Sequence, residues 1–118
     1  MKRITLTRFA TAALAALTLL GGAAAQAQSS LERILGDGVL RVGTTGDFNP
    51  MTVRDVASGS FKGFEIDVAT ALAEEMGVEL EFVTTEWKTM VAGVVSDKYD
   101  IVMSGTSISV GRAKVVGY

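Results

Sequence analysis

From residue 39 to residue 103 the apolar pattern of this chain switches repeatedly between a period of two and a period near 3.6, which restricts the folds open to it. Residues 39–43 read as a strand. Residues 44–50 read as a loop in which Asn49-Pro50 turns the chain, 51–54 as a brief strand, and 57–60 as a small, polar hairpin tip from which Phe61 and Phe64 return to the core. Over 65–76 the spacing becomes helical, with Val68, Ala69, Leu72 and Met76 on one face and Asp67, Thr70 and Glu74 on another; Gly77 ends it. In 78–83, Val78, Leu80 and Phe82 alternate with Glu79, Glu81 and Val83, which predicts a strand with one wet face at the sheet edge. Residues 87–96 read as a second helix directing Trp87, Met90, Val91, Val94 and Val95 inward, with Gly93 counting against it, and 100–103 as the third main strand. Upstream, Ser29 and Ser30 can cap a short helix over 31–35 that buries Leu31, Ile34 and Leu35 before Gly36-Asp37-Gly38 stops it. Strand, helix, strand, helix, strand at these lengths predicts a mostly parallel α/β sheet with right-handed crossovers. Ligands of such sheets sit beyond the carboxyl ends of the strands. That rule brings the loops 44–48, 84–87 and 104–112 to one rim.

The first residues speak to location. Lys2, Arg3 and Arg8 precede or open an apolar stretch over 9–20, and Ala25-Gln26-Ala27 offers a small-x-small cleavage site, the pattern of a secretory signal peptide over 1–27. The stretch is too short and too alanine-rich for a spanning helix, which needs roughly 20 apolar residues. The expected mature chain, 28–118, holds eight basic and thirteen acidic residues, a formal charge of −5. Its cations are scattered singly, which argues against nucleic-acid binding. The sequence has no Cys and no His. Disulfides, thiol chemistry and a cysteine lipid anchor are thereby excluded, along with the commonest metal ligand and general base. No metal, no cofactor and no catalytic residue is expected.

The segment Met103-Ser-Gly-Thr-Ser-Ile-Ser-Val-Gly-Arg112 leaves the strand with hydroxyls, a glycine and one arginine. Gly105 lets main-chain N–H groups approach a ligand, Ser104, Thr106 and Ser107 add hydroxyl donors, and the fork of Arg112 matches the two oxygens of a carboxylate. The same residues equally describe a serine-rich helix cap with a solvated arginine, and the segment alone favours that reading.

The order of several motifs carries more. Gly38-Val-Leu-Arg-Val-Gly43, Phe48-Asn-Pro50, Gly63-Phe-Glu-Ile-Asp67, Lys98-Tyr-Asp-Ile101 and Ser107-Ile-Ser-Val-Gly-Arg112 together resemble the amino-terminal lobe of family 3 of the bacterial extracellular solute-binding proteins, which serve polar amino-acid ABC transporters. The resemblance implies a type II periplasmic-binding-protein-like lobe over 28–118, incomplete before the second lobe. It also implies a monomer that binds a small carboxylate or amino acid in the periplasm and hands it to a membrane permease. Within it Phe48 and Trp87 correspond to aromatic walls, Thr45 to a side-chain contact, Ser104, Gly105, Thr106 and Ser107 to the hydroxyl and main-chain contacts, and Arg112 to the clamp on the ligand's α-carboxylate. Aromatics at a sheet rim are also ordinary core residues. Asp67 is better explained by the helix dipole, and Asp100 by a structural role at the strand start. Met51 stands where the family usually has phenylalanine, and Val110-Gly111 where it has a proline-acid pair.

A second resemblance lies inside the first. Thr44-Thr-Gly-Asp47, Trp87 and Met103-Ser-Gly-Thr-Ser-Ile108 are similar to the periplasmic cyclohexadienyl dehydratases, which act on prephenate or arogenate on this scaffold and take their general acid, a glutamate, from the other lobe. Transport binding protein, dehydratase, and sensor or lectin-like module of a larger exported protein are thus the expectations, the first being the commonest use of the pattern.

Overall fold

The structure is a computed structural model that describes residues 22–118, with side chains from Ser30 onward. The expected signal segment falls almost wholly outside the described residues. Ile34–Tyr118 form one compact unit, which carries the sheet and the candidate site, and the described residues before Ile34 belong to a separate unit.

Helix α1 spans Gly22–Asp37, longer than the 31–35 expected. The alanines and glutamines at 23–28 are good helix formers, so the helix runs through Ser29 and Ser30 instead of being capped by them. Of its three expected core residues only Ile34 is buried; Leu31 and Leu35 are exposed.

Strand β1 (Val39–Thr44) is the centre of a parallel sheet, with β5 (Glu79–Thr84) on one side and β6 (Ile101–Val102) on the other. The register sets Val39 beside Glu79 and Thr44 beside Thr84, and Val42 beside Ile101. This is the predicted parallel α/β arrangement, with β5 at the edge and its Glu79 and Glu81 in water. The central position of β1 explains why Leu40 and Val42 are fully buried, each contributing about 1.5–3 kcal/mol by leaving water. A second, antiparallel sheet joins β2 (Asp47–Phe48), β3 (Thr52–Arg54) and β4 (Phe61–Lys62). Strand β2 lies in the segment expected to be loop, because two residues are too few to show a period.

Helix α2 (Phe64–Met76) ends on Gly77 as expected, but its buried face is Ile66, Ala69 and Ala73. Val68 and Leu72 are partly exposed and Phe64 largely so. Small alanines let the helix lie close to the sheet, and this rotates the larger residues outward. Helix α3 is only Met90–Val95, so Trp87 lies ahead of it, and Val95 points to solvent while Met90 is fully buried. Gly93, which weakened the helix pattern, has a packing reason. The Tyr99 ring fills the space that a β-carbon on Gly93 or Gly43 would occupy, and its hydroxyl donates to the Met90 carbonyl at 2.7 Å and is hydrogen bonded to Thr85 at 3.0 Å. Asp100 takes the expected structural role: its carboxylate receives the Arg41 guanidinium at 2.7 Å and the Arg41 backbone N–H at 2.8 Å, tying β6 to β1. That contact raises the Arg41 pKa.

Candidate functional site

The three expected loops meet at the carboxyl ends of β1, β5 and β6. Thr45, directly after β1, is joined to Ser104, after β6. Their hydroxyls lie 2.6 Å apart and the Thr45 N–H donates to Ser104 Oγ at 3.0 Å. Ser104 is fully buried, so its hydroxyl braces Thr45 from beneath. A parallel strut lies one residue earlier, where the buried hydroxyls of Thr44 and Thr52 are 2.7 Å apart and fasten the small sheet to the large one.

Above this floor sits an aromatic corner. Phe48, on β2, lays its ring against Gly105, where any β-carbon would collide with it. Gly105 has a φ of 67°, in the left-handed region that glycine enters without steric cost. Trp87, from the β5–α3 connection, meets Phe48 edge to face, with ring centroids 5.7 Å apart and planes at 89°. The indole Nε1–H donates to both oxygens of Asp47, at 2.9 and 3.1 Å. Phe48 and Trp87 both remain more than a third exposed, so the corner stays open to solvent.

The rest of the hydroxyl-rich turn divides. Thr106 Oγ1 donates to the sulfur of Met90 at 3.1 Å and so points toward α3. Ser107 is exposed, and its carbonyl accepts Arg112 Nη1 at 2.8 Å and the Tyr118 hydroxyl at 3.3 Å. Helix α4 (Val110–Ala113) is started by Ser109, whose Oγ accepts the Arg112 N–H at 3.3 Å. The start therefore does not depend on the proline-acid pair usual in the family. Among the described residues, the side-chain bonds of Arg112 run through Nη1 alone, to Ser107.

One residue at this rim escaped the sequence reading. Glu65, in the first turn of α2, accepts the Gly105 N–H at 2.7 Å. It stands within the motif Gly63-Phe-Glu-Ile-Asp67, but a carboxylate in a first helical turn is ordinary, and nothing local tells Glu65 from Asp67.

The chain belongs to the bacterial extracellular solute-binding proteins, family 3, whose model matches residues 40–118. Its fold is that of a type II periplasmic-binding-protein lobe. It is 47% identical over 103 residues to the cyclohexadienyl dehydratase of Pseudomonas aeruginosa, covering 86% of this chain and 38% of that protein. Among solved structures it is similar to an ancestral amino acid-binding protein described as a precursor of cyclohexadienyl dehydratase, with a TM-score of 0.69, 45% identity, and coverage of 72% of this chain and 37% of that one. It is also similar to the arginine-bound form of domain 1 from TmArgBP, a Phe57Trp mutant, with a TM-score of 0.69, 34% identity, and coverage of 74% and 67%. The chain thus spans well under half the length of the curated dehydratase it matches.

Proposed function

We propose that this chain is the amino-terminal lobe of an exported binding protein for an amino acid or related small carboxylate, which it delivers to an ABC transporter. Phe48 and Trp87 form the wall on which the ligand packs. Thr45 and Ser107 offer hydroxyls, Ser104 and Gly105 shape the floor, and Thr106 closes it toward α3. The observation that carries the reading is the state of Arg112. Its guanidinium is held to Ser107 through Nη1, so the edge formed by Nε and Nη2 keeps its parallel N–H groups for a bidentate carboxylate. That domain 1 of TmArgBP is found with arginine supports recognition by the first lobe of this fold. Export rests on the signal pattern over 1–27, and the monomeric state and the permease partner on family membership.

A second reading, a cyclohexadienyl dehydratase, is favoured by the 47% identity to the Pseudomonas enzyme. Both readings need the same carboxylate recognition. The enzyme must in addition protonate the departing hydroxide of prephenate as carbon dioxide leaves, giving phenylpyruvate, water and carbon dioxide. The amino-acid-binding ancestor is 45% identical, so likeness in this lobe separates the two readings weakly.

Calorimetry of the full-length, two-lobed protein with L-arginine and other amino acids, alongside an assay for phenylpyruvate formed from prephenate, tests the proposal. Binding without turnover is expected, and turnover would replace the transport reading by the second. Arg112→Ala should weaken binding by at least about 30-fold, since stranding a buried charge partner costs roughly 2–5 kcal/mol. Arg112→Lys should recover only part, because an ammonium lacks the planar fork. Unchanged affinity in Arg112→Ala would return Arg112 to the role of a solvated helix residue.

A further inference from the structure

We propose that Glu65 is the positioning residue of the aromatic wall, acting through the turn at Gly105. Three contacts form a chain. The Glu65 carboxylate accepts the Gly105 N–H at 2.7 Å, the left-handed Gly105 carries the Phe48 ring, and the Phe48 ring meets Trp87 edge to face. The base of this chain is stiff. The first N–H groups of α2 donate to the carbonyls of Pro50 and Met51, Phe64 and Glu65 each at 3.0 Å, so Glu65 is anchored to the loop that follows Phe48. It thus grips the aromatic corner from both ends, by its backbone on the β2–β3 connection and by its side chain on the turn after β6.

The charge matters as well as the reach. A carboxylate holds a main-chain N–H more strongly than a neutral acceptor does. An N–H in a left-handed turn, with no strand partner, has otherwise only water to bond. Without Glu65 the turn can relax, and the surface beneath Phe48 falls away. Asp67, two residues on, lies on a different side of the helix and is exposed, so it does not substitute.

The consequence for ligand affinity rests on the binding reading above; the consequence for the turn does not, and the experiment separates them. Trp87 is the sole tryptophan of the sequence, so its emission reports the corner directly. In Glu65→Ala, amide hydrogen exchange at Gly105 should quicken by about tenfold or more, as expected for losing a bond to a charged group. Trp87 emission should shift, while the amides of Leu40 and Val42 keep their protection. Glu65→Gln, which retains an acceptor oxygen but not the charge, should restore part of both signals. Glu65→Asp, one methylene short, should resemble Glu65→Ala and serves in its place if the alanine variant does not fold. L-arginine should bind about tenfold more weakly to the alanine or aspartate variant than to the glutamine variant. Parent-like Gly105 exchange, or unaltered Trp87 emission, in whichever of those two variants folds would overturn the proposal. So would a loosened turn with undiminished arginine affinity. If the parent binds no L-arginine, the ligand assignment fails, and exchange and emission still decide the role of Glu65.

Discussion

Asp47 and Trp87 are forty residues apart in sequence, yet the indole N–H bridges both carboxylate oxygens of Asp47, at 2.9 and 3.1 Å. The contact crosses from the antiparallel sheet to the connection after β5, and it fixes which face of the indole is offered beside Phe48. Both residues are exposed, so little of the protein's stability is at stake. An arrangement costly to neither stability nor folding, yet defined in geometry, is what a recognition surface requires.

Asp47→Ala should therefore change Trp87 emission and ligand affinity while lowering stability by less than about 1 kcal/mol, the ordinary scale of solvent-exposed polar contacts. Denaturant melts set beside titrations with L-arginine check this. A stability loss several times larger would make the pair a structural brace.

Tyr99 sets a different expectation. Its ring occupies the position of the absent Gly93 and Gly43 side chains, and its hydroxyl serves Met90 and Thr85 in the buried interior. Gly93→Ala gains helix propensity of about 1 kcal/mol, but the new methyl collides with the phenol, and overpacking typically costs 1–3 kcal/mol. Net destabilisation is expected. Tyr99→Phe should lose about 1–3 kcal/mol by taking the phenol donor from the Met90 carbonyl and the acceptor from the buried Thr85 hydroxyl. Thermal melts of both variants decide the matter, and a stabilised Gly93→Ala would contradict the packing argument.

Asp55 gives a pH prediction at the tip of the β3–β4 hairpin. The backbone N–H of Ser58 at 2.7 Å, then its hydroxyl at 2.8 Å, lower the Asp55 pKa below its ordinary 3.8. A depressed carboxylate contributes order that is present above the unfolded value and is lost as pH falls through the folded one. The Ser58 amide signal should accordingly hold down to pH 3.8 and change below it. Ser58→Ala removes the hydroxyl bond and should move the midpoint upward. A midpoint at or above 3.8 in the parent would refute the assignment.

Much of the fold was legible in the sequence because it depends on short-range periodicity. The strands expected at 39–43, 78–83 and 100–103 and the helix ending at Gly77 follow from alternation, an apolar run and a glycine stop, and strands stand at 39–44, 79–84 and 101–102. Errors arose where periodicity is mute. Strand β2 is too short to show a period, and α2 turns Ile66, Ala69 and Ala73 inward because close helix–sheet approach favours small side chains over large ones. Gly93 looked like a defect in a helix and is the seat of Tyr99.

Chain order and side-chain chemistry were enough to indicate the parallel α/β class, the rim to which three loops converge, and the residue types gathered there. How those residues are paired came only with the folded chain. It committed Ser104 to Thr45 in the interior, turned Thr106 onto Met90, folded Arg112 back on Ser107 through one nitrogen, and recruited Glu65 to Gly105. A hydroxyl or carboxylate has the same chemistry wherever it stands. Which partner it meets depends on the path of the backbone, over separations from five residues for Arg112 and Ser107 to fifty-nine for Thr45 and Ser104, and no local pattern encodes that path.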